Sequence, residues 1–337
     1  MKKKLSINDI ASQLNLAKST ISFILNGKAK EKRISDELAA RVLAYVKEMG
    51  YKPNQLARSL STGKTKMICL MVEKISDHFF SHIAYHLEQL SYKHGYKIIY
   101  CSTENDPAKT RELIKLFRDR HVDGYIVTPP PGIEKEIMEM ISDELPVVLF
   151  DRYFKDIDTD YVVLDNYNGT HSAVAHLADN KYKRIALVTL ESEQLQMTDR
   201  EAGYLDAIKT YELEPLVLKI PFNSTQESTS LRINTLLKNH GDIDSIIFST
   251  NYLALSGVKT INDLHLQVPR DMGIIAFDDH DIFTIYNPSI SAVAQPLEAM
   301  AAELFRILLD KLEERVPIKQ FQHVVVPSTL IIRKSTR

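Results

Sequence analysis

Residues 6–25 read SINDIASQLNLAKSTISFIL, and this stretch decides the fold of the N-terminal part of the chain. Apolar residues at positions 7, 10, 11 and 14 follow the i, i+3, i+4, i+7 spacing of a helix with one buried stripe. Asn15 and Leu16 break that pattern, and a second apolar set follows at positions 21, 24 and 25. Two short helices that are each buried on one side predict a helix-turn-helix, whose second helix can enter the major groove of DNA. The alternative is a helical hairpin that packs against another part of the chain.

Capping signals on both sides of this motif predict a small three-helix domain. Ser6 and Asp9 have the spacing of a capping box at the start of the first helix. Ser35 is expected to cap a third helix. Four apolar side chains should line the buried side of that helix: Leu38, Val42, Val46 and Met49. Three such helices can close a headpiece of roughly 50 residues.

Charge is distributed unevenly along the 337 residues. Residues 1–66 carry 14 Lys and Arg against 5 Asp and Glu, whereas residues 67–337 carry 28 against 39. A basic head on an acidic body indicates a polyanionic partner for the head. The segment KAKEKR, residues 28–33, joins the second and third helices and would meet phosphates beside the groove.

From Met67 onward, apolar runs alternate with helical stretches. Seven strands are predicted: 68–72, 97–101, 124–128, 147–150, 184–189, 245–249 and 273–277. This alternation predicts an α/β core of parallel sheets with flanking crossover helices, and its length suits two lobes. In open α/β sheets the ligand crevice lies beyond the carboxyl ends of the strands, and polar or aromatic side chains recur at those ends here.

Several protein classes find little support. The start, MKKKLSIND, has no apolar stretch behind its lysines, and no apolar run is long enough to span a bilayer, so we expect a cytoplasmic protein without membrane contact. The sequence contains no Gly-x-Ser-x-Gly, His-Glu-x-x-His, Cys-x-x-Cys or P-loop motif, and we expect neither an enzyme nor a cofactor. Cys69 and Cys101 are expected to be buried thiols. His78, His82 and His86 share a helix face, but without an adjacent Glu they favour cleft or surface positions over a metal site.

Eight segments, in order, resemble the pattern of the LacI/GalR family of transcriptional regulators. They are SINDIASQLNLAKSTIS (6–22), YKPNQLARSL (51–60), NDPAKT (105–110), VDGYIV (122–127), PVVLFDRYF (146–154), DREAGY (199–204), VPRDMGIIAFDD (268–279) and AQP (294–296). The resemblance covers more than 300 residues. It implies a regulator, most often a repressor, that binds near-palindromic double-stranded operator DNA as a homodimer and is controlled by a small-molecule effector.

The resemblance also implies a domain plan, with an all-α headpiece and a two-lobed core like a periplasmic binding protein. The headpiece would span residues 1–52, a hinge helix and linker 53–66, and the effector-binding and dimerisation core 67–337. Within the core, the first lobe would comprise 67–164 and 295–321, and the second 165–294 and 322–337.

Site residues follow from the same match. The expected DNA contacts are Lys18, Ser19, Thr20, Ser22, Phe23, Asn26, Ser35, Asn54, Ala57 and Leu60. Lys18, Ser19 and Phe23 match base-reading positions, and Leu60 matches a leucine that is wedged into the minor groove. The expected effector contacts are Phe79, Phe80, Asp151, Arg152, Arg200, Phe222, Asn251, Asp278 and Gln295.

The effector class is predicted from chemistry. Arg and Asp side chains in one cleft suit a hydroxyl-rich ligand, and a phenylalanine wall suits the face of a sugar. We therefore expect a carbohydrate, with a nucleobase or nucleoside as the alternative and a solute-binding protein as the alternative from another class. The chain departs from the family pattern at Ala17, which replaces a serine cap, and at Asp77-His78 and Tyr252 near the cleft.

Overall fold

The computed structural model describes residues 5–51, 59 and 63–337. The chain forms two compact units, Met1–Thr65 and Lys66–Arg337. The helices of the described residues are α1 (Ile7–Leu14), α2 (Lys18–Leu25), α3 (Asp36–Glu48), α4 (His78–Lys93), α5 (Pro107–Asp119), α6 (Glu134–Ser142), α7 (Asn166–Asp179), α8 (Leu195–Thr210), α9 (Gln226–Asn239), α10 (Asn251–Asp263), α11 (Asp281–Ile285) and α12 (Leu297–Leu312). The strands are β1 (Met67–Val72), β2 (Lys97–Ser102), β3 (Gly124–Val127), β4 (Val147–Phe150), β5 (Asp160–Leu164), β6 (Ile185–Glu191), β7 (Val217–Pro221), β8 (Ser245–Phe248), β9 (Gly273–Phe277), β10 (Ser291–Ala294), β11 (His323–Val326) and β12 (Thr329–Ile331).

The headpiece is the predicted three-helix unit. Ser6 and Asp9 form the capping box of α1, and the Ser35 hydroxyl accepts a hydrogen bond from the Leu38 amide at the start of α3. Ala17 gives α2 no side-chain cap, which costs that helix about 1 kcal/mol relative to serine. The buried core is small and apolar: Ile10, Ala11, Ile21, Ile24, Val42 and Val46.

The prediction that Met49 belongs to the headpiece core is wrong. Met49 is 43% exposed, because α3 ends at Glu48 and the helical spacing no longer applies beyond it. Tyr45 and Tyr51 pack against the core instead. Tyr45, which lies within α3, and Tyr51, which follows it, thus cover the core where Met49 was expected.

The core contains two six-stranded sheets, as predicted for an α/β protein. The first has the order β11-β5-β4-β3-β1-β2 and is parallel throughout. The second has the order β12-β10-β9-β8-β6-β7 and is parallel except for β12, which runs antiparallel to β10. All seven predicted strands are present, with ends shifted by at most two residues. In each sheet the strand order reverses beside the first strand, which places a crevice beyond the carboxyl ends.

The chain passes between the lobes three times. It leaves the first lobe after β5 and returns after β10, where α12 packs against α4 and against β3, β4 and β5. It crosses again between β11 and β12, because β11 pairs with β5 and β12 pairs with β10. The expected boundary at residue 321 is therefore a few residues early, since residues 323–326 complete the first sheet. Among the described residues, no helix has both the length and the apolar character that crossing a bilayer requires.

Candidate functional site: a recognition helix and an interlobe cleft

The second helix of the headpiece presents a polar outer face. Lys18 and Ser19 are exposed, whereas Thr20 is half-buried. Further along α2, Ser22 is half-buried and its hydroxyl accepts a hydrogen bond from the Asn26 amide at 3.4 Å. A short helix with this face exposed and Ile21 and Ile24 buried has the form of a recognition helix.

The basic loop 28–33 lies directly beside this face. The Lys28 amide donates to the Phe23 carbonyl oxygen at 2.9 Å, and the Lys32 ammonium lies 5.5 Å from the centre of the Phe23 ring. Phe23 is half-buried, so part of its ring remains available to a partner. Cationic side chains thus border the recognition helix, where phosphates would flank bases in the groove. Asn54, Ala57 and Leu60 lie outside the described residues.

A cleft of about 1160 Å³ lies between the two lobes of the core. Its lining contains all nine residues that were expected to contact the effector: Phe79, Phe80, Asp151, Arg152, Arg200, Phe222, Asn251, Asp278 and Gln295. They come from both lobes, and most of them lie at or just beyond the carboxyl ends of strands. This volume is slightly above the range of about 300–1,000 Å³ that is usual for small-molecule sites.

Arg200 is the central cation of the second lobe. It is 2% exposed, its guanidinium lies 3.6 Å from the centre of the Phe277 ring, and Nη2 lies 3.6 Å from the Asp278 carboxylate. Its Nε donates to Asn166 Oδ1 at 2.8 Å and Nη1 donates to the Ser249 carbonyl oxygen. These two hydrogen bonds and the ion pair with Asp278 engage three of the five N–H groups, so two remain for a ligand.

The segment DREAGY explains how Arg200 is held. A Cβ atom at Gly203 would lie 2.2 Å from the Tyr167 carbonyl oxygen, so only glycine allows α8 to approach α7 this closely. One turn from Arg200, the Tyr204 hydroxyl donates to the Ile185 carbonyl oxygen at 2.8 Å and accepts from the Leu216 amide at 2.8 Å. These contacts fix α8 on the second sheet, and Arg200 with it.

Two aspartates face the cleft from equivalent places in the two lobes. Asp151 follows β4 with φ +69°, and Asp278 follows β9 with φ +67°. This left-handed conformation is rare for residues with a side chain, and Asp and Asn tolerate it best among them. Each aspartate follows a buried phenylalanine, Phe150 or Phe277. Such backbone geometry is typical of functional positions.

Arg152 is surrounded by acceptors from the protein itself. Its five N–H groups point to five residues: Pro129, Asp151, Gln194, Glu73 and Asn105. The shortest of these contacts are 2.8 Å to the Pro129 carbonyl oxygen and 2.9 Å to the Glu73 carboxylate. Gln194 belongs to the second lobe and also donates to Asn105 Oδ1 at 3.0 Å. Arg152 therefore ties the lobes together and has no N–H group left for a ligand.

An aromatic wall closes the side of the cleft that belongs to the first lobe. Phe79 stacks on Phe150 with a centroid distance of 5.4 Å and an interplanar angle of 19°. Phe80 meets Phe79 edge to face at 4.9 Å. Asp77, which caps α4 by accepting from the Phe79 amide at 2.9 Å, sets the start of the helix that carries both rings.

Burial perturbs the carboxylates of the cleft. Desolvation, with repulsion from Asp278 and Glu73, raises the pKa of Asp77 to about 6. Desolvation also raises the pKa of Asp151 to about 6, although Arg152 and Arg200 oppose that shift. The interior of the cleft thus already resists negative charge.

Two histidines on α4 pack against other imidazoles. The His78 ring lies 4.0 Å from the His82 ring and stacks at 4.2 Å on His280 of the second lobe. Burial and the neighbouring imidazoles of His280 and His82 lower the pKa of His78. Within residues 5–51, 59 and 63–337, no group of three or more His, Cys, Asp or Glu side chains is arranged to hold a metal ion.

Some residues that line the cleft or contact its side chains were not predicted from the sequence. Glu73 is the first residue after β1, so inspection of strand ends could have identified it. Gln194 is the N-cap residue of α8 and Gln196 lies on its first turn, where no motif marks them. Asn105 meets the cleft network only through its contacts with Arg152 and Gln194.

A helix-turn-helix headpiece followed by a two-lobed core with a ligand cleft defines the class of ligand-controlled transcriptional regulators. Residues 6–54 match the family "Bacterial regulatory proteins, lacI family", and residues 174–336 match the periplasmic binding protein-like domain. The ribose operon repressor of Halalkalibacterium halodurans is 27% identical over 332 residues, which cover 98% of this chain and 97% of the relative. The sucrose operon repressor of Pediococcus pentosaceus is 29% identical over 316 residues, which cover 93% of this chain and 94% of the relative.

The fold is similar to that of the lac repressor dimer bound to operator and the anti-inducer ONPF. The TM-score is 0.86 at 18% identity, with 99% of both chains covered. The chain belongs to the LacI family of bacterial regulatory proteins. It is a DNA-binding transcriptional regulator and not an enzyme, and the headpiece distinguishes it from a solute-binding protein.

Proposed function

We propose that this regulator is a cytoplasmic repressor that binds a near-palindromic operator as a homodimer and is controlled by a carbohydrate in the interlobe cleft. In this proposal residues 1–52 read DNA, residues 53–66 form the hinge, and the core binds the effector and dimerises. A two-fold dimer places two recognition helices on two half-sites, which accounts for the palindrome.

The DNA side of the proposal rests on the outer face of α2. Lys18, Ser19 and Thr20 lie on its first turn, and Ser22, Phe23 and Asn26 lie on its second half and at its end. Phe23 has no hydrogen-bonding group, so it reads DNA by apolar contact with a thymine methyl. Ser35 caps α3, and in this proposal it contacts a phosphate next to the helix N-terminus.

The hinge completes the DNA-binding unit. Residues 55–60, QLARSL, are too few for a helix that is stable alone in water, so their helix would depend on DNA and on the partner hinge. Asn54, Ala57 and Leu60 are proposed to contact DNA there. Leu60→Ala is expected to weaken operator binding and reduce DNA bending, with effector binding unchanged. Protection of residues 54–62 from hydrogen exchange in the free dimer would contradict this mechanism.

The choice of a carbohydrate as effector is supported by one observation. The aromatic wall of Phe79 and Phe80 lies in the same cleft as the pair Arg200 and Asp278. An apolar ring face packs on the C–H face of a sugar, while the guanidinium donates to hydroxyl oxygens and the carboxylate accepts from hydroxyl groups. Two relatives are named for ribose and sucrose operons, which agrees with a sugar effector.

Two measurements test this function. Selection of bound duplexes from random DNA should yield a near-palindrome, whose affinity falls steeply as salt concentration rises. Deletion of residues 1–66 should abolish that binding and leave a core that a sugar still stabilises, by about 2.7 kcal/mol at 100 times its dissociation constant. Specific DNA binding by the deleted form would refute the assignment of the headpiece.

A further inference from the structure

The charges that line the cleft are predominantly negative. Among the described residues, six carboxylates face three cations: Glu73, Asp77, Glu104, Asp106, Asp151 and Asp278 against Lys74, Arg152 and Arg200. Lys74, Glu104 and Asp106 are exposed, and Glu104 pairs with Lys109. This leaves four carboxylates inside the cleft against two arginines, and both arginines are already paired with carboxylates. An anionic group in the cleft would have to compete with those carboxylates for both arginines.

The arginines have little capacity left for an anion. All five N–H groups of Arg152 point to acceptors of the protein. Arg200 retains two, but the Asp278 carboxylate lies 3.6 Å from the same guanidinium. A phosphate or carboxylate that accepted from Arg200 would therefore lie close to the Asp278 charge.

A second observation concerns Gln196. Its side chain is 5% exposed and lines the cleft, and its Nε2 donates to the Asp151 carboxylate at 3.4 Å. Its Oε1 is buried without a hydrogen-bond partner among the described residues. A buried acceptor without a donor destabilises the protein until a donor arrives. Phosphate and carboxylate oxygens cannot supply one, whereas a hydroxyl or ammonium group can.

We propose that the effector is an uncharged or amino-substituted carbohydrate rather than a sugar phosphate or a sugar acid, and that Gln196 accepts a hydrogen bond from one of its hydroxyl or amino groups. This inference rests on the proposed carbohydrate effector and narrows it. A hydroxyl oxygen can accept a hydrogen bond from Arg200. A hydroxyl hydrogen can be donated to Gln196, Asp151 or Asp278.

Isothermal titration of the full chain at pH 7.5 and constant ionic strength tests the proposal with matched probes. These are glucose, glucosamine, glucose 6-phosphate and glucuronate, together with ribose, ribose 5-phosphate, sucrose and hypoxanthine. We expect binding by a neutral or amino sugar, and at least tenfold weaker binding by its phosphate or acid. Tighter binding of the phosphate or the acid would overturn this inference and leave the carbohydrate effector standing. Binding of hypoxanthine alone, or of no probe, would reject the carbohydrate effector itself.

Two variants test the charge and the hydrogen-bond acceptor separately, each at nearly unchanged side-chain size. Asp77→Asn keeps the shape of the side chain and removes one charge, so the preference for the neutral parent over its anionic derivative should shrink several-fold. An unchanged preference would show that charge does not cause it. Gln196→Met removes the acceptor at similar volume and should weaken binding of the neutral sugar about tenfold, with the ligand-free melting temperature unchanged or raised. Unchanged affinity in Gln196→Met would remove Gln196 from the proposal.

Discussion

Asp77→Asn is expected to stabilise the core at neutral pH, because it removes a charge that folding has partly desolvated. The pKa of Asp77 is raised from 3.8 to about 6 by burial and by the charges of Asp278 and Glu73. One pKa unit corresponds to about 1.4 kcal/mol, so the ionised carboxylate costs the folded state up to about 3 kcal/mol at pH 7.5. Asparagine keeps the shape and can still cap α4, since Asn and Asp are comparable caps.

The sign of the pH dependence follows from the direction of the shift. As pH falls below about 6, the native Asp77 takes up a proton that the unfolded chain does not yet bind, and the wild type recovers stability. The advantage of Asp77→Asn should therefore shrink between pH 6 and pH 4. Urea denaturation at pH 7.5, 6.0 and 4.5, followed by circular dichroism, measures the free energy of unfolding under each condition.

The matched control is Asp106→Asn, which replaces the exposed cap of α5. Its carboxylate accepts from the Ala108 amide at 2.7 Å, much as Asp77 accepts from the Phe79 amide. We expect the free energy of unfolding to change by less than about 1 kcal/mol, because this carboxylate is exposed and asparagine is a comparable cap. An equal gain in both variants, or a gain for Asp77→Asn that stays constant from pH 7.5 to 4.5, would refute the reasoning.

Three further variants probe the ligand site, the recognition helix and the packing of α8. Arg200→Ala should abolish the response to the effector with operator affinity largely retained. Its control, Arg232→Ala, changes an exposed arginine on α9 and should leave the response intact. Titration calorimetry measures effector binding, and a DNA-binding assay measures operator affinity. Phe23→Ala should cost roughly 1–3 kcal/mol on the cognate operator and little on random DNA, and equal losses on both would assign Phe23 to the headpiece core. Gly203→Ala should lower the free energy of unfolding by about 1–3 kcal/mol because its Cβ meets backbone, while Gly241→Ala, with open space around it, should be neutral.

Much of the fold was predictable, because buried parallel strands appear in a sequence as short apolar runs. The strands at positions 147–150 and 273–277 are fully buried, and their bounds agree with the predicted ones. Five strands were missed: β5, β7, β10, β11 and β12. Three of them, β7, β11 and β12, lie at the edge of a sheet and are only partly buried. The other two, β5 and β10, are largely buried but short, and polar residues stand at their starts, Asp160 and Ser291.

The cleft residues were predictable only in part. Asp151 and Asp278 follow strands and belong to recognisable segments, so family resemblance placed them. The role of Arg152 was not predictable, because its acceptors come from segments as distant in sequence as Glu73 and Gln194. The sequence could place both arginines in the cleft. Only the hydrogen bonds show that Arg152 is saturated, whereas Arg200 can still donate to a ligand.

The left-handed backbone at Asp151 and Asp278 has a consequence for how such a regulator can change its ligand. Asp, Asn and Gly adopt that conformation most readily and β-branched residues only with strain, so mutation at these two positions has fewer viable outcomes than at helical ones. Gln196 and Tyr252 lie on helices, where most side chains are permitted. New effector specificities should therefore arise at the helical positions, by natural divergence or by directed evolution, while the two aspartates persist.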